Sequence, residues 1–202
     1  MLLRGLRQRL PRHAVTVRDL FPTVVHTLLL RTATPARRDL FSPNDRTLPP
    51  GTEVLLLRRA GTGYGDGLYQ PPGGYAVAGE SPSAAAIREC DEEVGIGIAP
   101  ADLHPLCVMP YLQQRGSSTG VPTGSSTGAP TGSPTGSPGG QGVDFIMMAW
   151  KYEGVARIGE PHKADLLGWY SVNDLPERAV PFLAPALNCW REGRWYLEYG
   201  YE

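Results

Sequence analysis

The chain has 202 residues, 19 basic and 20 acidic, for a formal net charge of −1. That length suits one domain with a well-formed core plus appendages. The near-neutral balance argues against a general nucleic-acid binder or a surface made for anionic membranes. Cys90, Cys107 and Cys189 are odd in number and widely spaced, which speaks against a disulfide framework or zinc site and for a reduced, cytoplasmic setting. No apolar run approaches the roughly 18–20 residues of a membrane span.

The first segment, Met1 to Arg18, carries Arg4, Arg7, Arg9 and Arg12 among leucines. It lacks the uninterrupted apolar core and small-residue cleavage site of a secretory signal, so residues 1–20 are expected to form a flexible extension ahead of a domain over 21–202. TVVHTLLLR, Thr23 to Arg31, is β-branched and apolar and predicts a buried strand. Residues 32–51, rich in Pro, Arg, Asp and Asn, predict a loop. EVLLLRR, Glu53 to Arg59, predicts a second strand whose end sets Arg58 and Arg59 beside the next loop. There they are either solvated strand-end charges or partners of a phosphate. That loop, AGTGYGDGLYQPP over residues 60–72, lets backbone approach a ligand closely through its glycines and offers tyrosine faces for stacking. A purely structural surface loop is the plain alternative.

The stretch Gly73 to Ile96, GGYAVAGESPSAAAIRECDEEVGI, dominates the chain. Ser81 is a good N-cap, Pro82 suits the first helical position, and Gly95 suits the left-handed residue that closes a helix. Ile87, Cys90 and Val94 recur at offsets of three and four, an apolar stripe. Glu89, Glu92 and Glu93 recur at the same offsets on another face. Three like charges there repel. A divalent cation such as Mg²⁺, which takes hard oxygen ligands, turns that repulsion into affinity; a merely solvated acidic face is the alternative.

Past the helix, Leu103 to Leu112 predicts an edge or irregular strand, since it holds Pro105 and Pro110. Residues 116–142 are largely Gly, Ser, Thr and Pro, too poor in apolar side chains to offset their ordering entropy, and predict a disordered insert. Val143 to Tyr152 predicts a central strand and Leu166 to Ser171 another. A helix from about Val180 to Glu192 and a last short strand, Trp195 to Tyr199, complete the chain.

Gly74, five residues, Glu80, seven residues, then Arg88-Glu89-Cys90-Asp91-Glu92-Glu93-Val94-Gly95-Ile96 resembles the Nudix box, the loop-helix-loop signature of the Nudix hydrolases. Cys90 stands where the family usually has an aliphatic residue. The loop RRAGTGYGDGLYQPPGG resembles a bacterial MutT-like subgroup with an Arg-Arg…Thr-Gly-Tyr…Asp-Gly…Tyr run before the box, with Tyr75 where that subgroup has histidine. GEPHKADLLGWYSVNDLP resembles the ending common in nucleotide-cleaving members.

The resemblance implies an α/β fold, an α/β/α sandwich around a mixed sheet. It implies Mg²⁺-dependent hydrolysis, with Mn²⁺ able to substitute, of a nucleoside diphosphate linked to another group. A (deoxy)nucleoside triphosphate or modified nucleotide is the first expectation; an ADP-ribose-type dinucleotide, or a silent nucleotide-sensing module, is the alternative. The implied metal set is Glu89, Glu92 and Glu93 with the Gly73 carbonyl, and Glu80 in support. Arg88 orients a carboxylate through a forked hydrogen bond. The general base is Glu89, or an acid of the later loop, Asp165 or Glu160. Arg58, Arg59, Tyr64, Asp66 and Tyr75 are the expected substrate contacts. The partner is thus a small nucleotide rather than nucleic acid or membrane, with the chain a monomer or homodimer.

Overall fold

The computed structural model describes residues 22–32, 46–63, 65–112 and 140–201. The expected extension over 1–20, nearly all of the expected insert, and Tyr64 lie outside these residues. Seven strands form one mixed sheet among the described residues: β1 (Thr23–Thr32), β2 (Thr52–Arg59), β3 (Tyr69–Gln70), β4 (Gly73–Tyr75), β5 (His104–Leu112), β6 (Gln141–Ala149) and β7 (Ala164–Ser171). The main path runs β3-β2-β1-β6-β5, with β4 paired to β1 and β7 paired to β2. β1 runs parallel to β6 and antiparallel to β2 and β4.

The alternation of β1 decides the layering, because successive strand side chains face opposite ways. Leu28 and Leu30 join Val54, Leu56, Ile146 and Met148 in one core, beneath helix α2 (Leu183–Arg191). Leu29, with Leu55, Leu57 and Ala149, lies on the other face beneath helix α1 (Pro82–Val94), which contributes Cys90 and Val94. Each fully buried leucine or valine contributes about 1.5–3 kcal/mol, so a strand apolar on both faces is fixed as the centre of the sandwich. The expected α/β/α architecture is the one observed.

α1 has the predicted ends. The Ser81 hydroxyl accepts from Ala84 N at 3.2 Å, Pro82 opens the helix, and Gly95 adopts φ 67° with its N–H on the Asp91 carbonyl at 3.0 Å. α2 begins three residues later than expected. Ala179 pairs with Tyr69, and Val180 N donates to the Tyr69 carbonyl at 2.8 Å, so that segment lies along β3 before it can coil. β5 bears its prolines at the end of the main path, with a register shift between Pro105 and Cys107. Trp195 to Tyr199 forms parallel bridges to β5 through Tyr196 and Tyr199 rather than a continuous strand.

Candidate active site

The site starts from close backbone approach. β4 pairs with β1 through His26–Gly73, Val25–Gly74 and Val24–Tyr75. A Cβ on Gly73 would run into the Val25 carbonyl and sit 2.8 Å from His26 Cα. On Gly74 it would sit 2.5 Å from Glu89 Oε1. Gly73 therefore lets β4 close onto β1 and Gly74 admits the Glu89 carboxylate, while Glu93 reaches the strand through Oε2, which accepts from Gly73 N at 2.9 Å. Behind Gly73, His26 and Asp144 form a buried pair at 2.6 Å. Burial lowers the His26 pKa, but the Asp144 charge and hydrogen bond raise it further, leaving it above its ordinary value.

Arg88 gathers the remaining acids. Its Nε and Nη2 donate to the two Glu80 oxygens at 2.9 and 3.0 Å, and Nη1 donates to Glu89 at 2.8 Å and Glu92 at 3.0 Å. Nη2 also reaches the Tyr75 carbonyl at 3.0 Å. The Arg88 hydrogen bond holds the Glu80 carboxyl below the usual range. Helical spacing put Glu89, Glu92 and Glu93 on one face, yet their surroundings differ: the Glu89 side chain is 13% exposed and that of Glu92 52%. Desolvation pushes Glu89 up, against the opposing pull of Arg88. The Glu93 residue is half-buried, and desolvation raises its pKa to about 7; the Gly73 N–H opposes that rise, and the Glu89 and Glu160 charges add to it.

A second region lies at the end of β2. Arg58, Arg59, Asp66 and Asp165 line a cavity of about 340 Å³ together with Gly61, Gly67, Tyr69 and Arg178. Arg58 Nε and Nη2 grip both Asp165 oxygens at 2.7 and 2.9 Å, holding that carboxyl below the usual range. Asp66 accepts from the Thr62 hydroxyl at 2.6 Å and from Gly63 N at 3.1 Å, which ties the glycine loop into a turn. Arg59 also lines a smaller space with Glu93, Glu160 and Lys163, so it stands between the two regions. Arg58, Arg59 and Asp66 are thus brought together, whereas Tyr75 lies on β4 beside Arg88. Asp165 belongs with the arginines; Glu160 lies nearer Glu93 and pairs with Lys163 at 2.8 Å. Arg178 escaped the sequence reading, having no motif around it and reaching the cavity only because residues 178–180 run along β3.

Among the described residues no three His, Cys, Asp or Glu side chains stand together as a ready metal cage; Glu80, Glu89 and Glu92 converge on Arg88 instead. The chemistry of the donor set nonetheless fits a divalent ion. Glu89, Glu92, Glu93 and the Gly73 carbonyl are all hard oxygens. Negative charge at Glu89 and Glu93 is penalised by desolvation and by mutual repulsion, which a cation relieves.

An α/β/α sandwich that presents an acidic helix behind a Gly-Gly strand defines a class. The chain belongs to the NUDIX domain family, whose model matches residues 46–188, and is a Nudix hydrolase. Nudix proteins generally use divalent metal ions. Among curated proteins none matches the chain in sequence. Its fold is similar to that of a MutT NUDIX hydrolase from Burkholderia pseudomallei, with a TM-score of 0.55 at 20% identity over 83% of this chain and 95% of that one. It is similar also to a MutT protein from Bacillus halodurans (TM-score 0.53, 16% identity, 90% and 92% covered). The NUDIX domain of Shewanella oneidensis NrtR, solved with ADP ribose, gives a TM-score of 0.53 at 17% identity, covering 86% and 88%. At these identities the likeness is one of fold. Among the described residues, no helix is long and apolar enough to cross a membrane, and the three cysteines are free thiols.

Proposed function

We propose that the chain hydrolyses the pyrophosphate linkage of a (deoxy)nucleoside triphosphate or modified nucleotide, with Mg²⁺ as cofactor and Mn²⁺ as a substitute. The observation that carries this reading is the convergence of Glu80, Glu89 and Glu92 on one guanidinium, with Glu93 beside them on Gly73. Glu89, Glu92, Glu93 and the Gly73 carbonyl would hold the metal, supported by Glu80. When bound, it neutralises the pyrophosphate oxygens and lowers the pKa of attacking water.

The chain's own groups supply the positioning. Arg88, anchored by two bonds on Glu80, aims Glu89 and Glu92 with its third nitrogen. The Gly73 N–H fixes the Glu93 carboxylate, and Glu93 lines a small space together with Arg59 and Lys163. Glu89 is the proposed general base, since it stands among the box acids while both oxygens of Asp165 are occupied by Arg58. Arg58, Arg59 and Asp66 are the proposed contacts for the rest of the nucleotide.

A panel of nucleotides incubated with Mg²⁺, with products identified, tests the activity directly. Glu92→Gln and Glu93→Gln should each lower turnover by about 10² or more at an unchanged unfolding temperature. Wild-type hydrolysis of every substrate by the double variant would refute the site.

A further inference from the structure

We propose that the arginine-lined cavity at the end of β2 binds a phosphate group of the substrate lying outside the diphosphate held by the box, and that Arg178 reads that group. The proposal rests on the hydrolase reading above and deepens it. Of the charges in the cavity wall this residue is the least committed: Arg59 donates to Gln70 Oε1 at 3.2 Å and to the Thr62 hydroxyl at 3.1 Å. Arg58 is answered by both oxygens of Asp165. The Asp66 carboxylate is committed to the Thr62 hydroxyl and to the N–H groups of Thr62 and Gly63. The Arg178 guanidinium, by contrast, forms no ion pair among the described residues and makes one hydrogen bond, from Nη2 to the Asp66 carbonyl at 3.2 Å. A guanidinium has five N–H donors in a fixed fork matched to phosphate oxygens, so most of its donors are uncommitted.

The placement is built rather than incidental. The Arg178 carbonyl accepts from Tyr69 N at 2.9 Å, and Val180 N donates back to the Tyr69 carbonyl at 2.8 Å, so the backbone on either side of the residue is laddered to β3. Its guanidinium lies against Gly67, where a Cβ would come within 2.8 Å of Nη1. Gly67 has φ 84°, a conformation that glycine takes at little cost, and the missing side chain makes room for the cation. Continuity with the box comes from Arg59, which lines both the cavity and the space shared with Glu93. A phosphate chain entering beside Glu93 therefore passes Arg59 before it meets Arg178. Among the described wall residues Tyr69 is the one aromatic and the others are charged or small, a lining suited to a compact anion.

The test uses the full chain with Mg²⁺ present, so that the box can hold a diphosphate, in calorimetric titrations with inorganic tripolyphosphate and pyrophosphate. Arg178→Gln keeps an N–H for the Asp66 carbonyl but drops the charge; Arg178→Lys keeps the charge but loses the fork. Arg178→Gln should weaken tripolyphosphate binding by roughly 10- to 100-fold and pyrophosphate binding at least several-fold less. Arg178→Lys should fall between it and wild type. Equal affinity of wild type and Arg178→Gln for tripolyphosphate, or an equal loss for both polyphosphates, overturns the proposal. Because binding is read rather than turnover, this failure is separable from that of the hydrolase reading. Loss of tripolyphosphate binding in an enzyme that cleaves nothing would sink the hydrolase reading and leave the arginine site standing.

Discussion

Adjacent glycines make the sharpest test of how the site is assembled, since the same added methyl meets different matter at each. Neither Gly73 nor Gly74 has a positive φ, so alanine is acceptable to the backbone at both. At Gly74 the new Cβ meets the far end of a flexible side chain, Glu89 Oε1 at 2.5 Å. Ordinary contact begins at 3.4 Å, so the carboxylate must retreat by 0.9 Å, the difference between the two. A glutamate tip can do that by rotating, at the expense of its 2.8 Å bond to Arg88. That costs about 1 kcal/mol, and replacing a strand glycine returns roughly 0.5–1 kcal/mol. Gly74→Ala should therefore melt within about 2 °C of wild type while turnover drops by about 10², the usual cost of misplacing a reacting group by an ångström. At Gly73 the Cβ meets only backbone and a packed ring: the Val25 carbonyl, His26 Cα and His26 Cδ2. Nothing there can yield without parting β4 from β1. Overpacking of this kind costs about 3 kcal/mol or more, hence a fall of roughly 6–12 °C in unfolding temperature. Thermal unfolding followed by circular dichroism, beside steady-state kinetics on the substrate found by panel screening, reads both quantities. Equal melting losses in the two variants, or full turnover in Gly74→Ala, would refute the reasoning.

Two further outcomes follow from the charge arrangement. Arg88→Ala strands Glu80, Glu89 and Glu92 without their shared cation and should cost about 1.5–3 kcal/mol. Added Mn²⁺ should raise its unfolding temperature by more than it raises that of wild type, because the freed oxygens bind the folded state only; equal shifts in both proteins would count against the convergence described above. Asp66→Asn probes the glycine loop. Slight burial raises the Asp66 pKa, and the Thr62 hydroxyl with the N–H groups of Gly63 and Thr62 more than reverses this, so the folded value lies below the ordinary 3.8. The stabilisation is then complete above pH 3.8 and is lost as pH falls through the lower folded value. Urea unfolding at neutral pH and on the acid side should show Asp66→Asn less stable at neutral pH, with the gap closing below about pH 4; a gap independent of pH would mean the carboxylate is not what holds the turn.

Much of this was legible in the residues because it is local. The ends of α1 follow from Ser81, Pro82 and Gly95, each acting within a turn of its own position. β1, β2 and β6 are short apolar runs of the kind that read as buried strands. What was not legible is non-local. β4 is three residues long and two of them are glycine, so nothing but its pairing with β1 makes it a strand. β3 has two residues and is recognisable only beside β2 and the 178–180 segment. Helical spacing gave Glu89, Glu92 and Glu93 a common face but not their partners, which depend on where Arg88 and the Gly73 N–H stand. Arg178 is the clearest case, set 112 residues from the Asp66 carbonyl it bonds.

The bonding of Arg88 is unequal, and on the proposed reading that inequality matters. Two of its nitrogens bond Glu80, one contact to each carboxylate oxygen, in a forked geometry that a point charge cannot reproduce. A single nitrogen, Nη1, is shared between Glu89 and Glu92. Nη1 carries two N–H groups, so each of these acids receives a single bond where Glu80 receives a two-point fork, and Glu92 is more than half exposed, where an ion pair contributes little. A doubly charged ion competing for these carboxylates would therefore draw Glu92 and Glu89 away from Nη1 first and leave the Glu80 fork in place. Arg88 would remain aimed while the acids changed partner, so the helix could carry its acids before the metal arrives without losing the orientation it needs afterwards. Arg88→Lys separates these roles: lysine keeps the charge, so it should retain most of the stability that Arg88→Ala loses. Without the fork it should lose turnover by at least tenfold, and a lysine variant with wild-type kinetics would show that charge alone does the aiming.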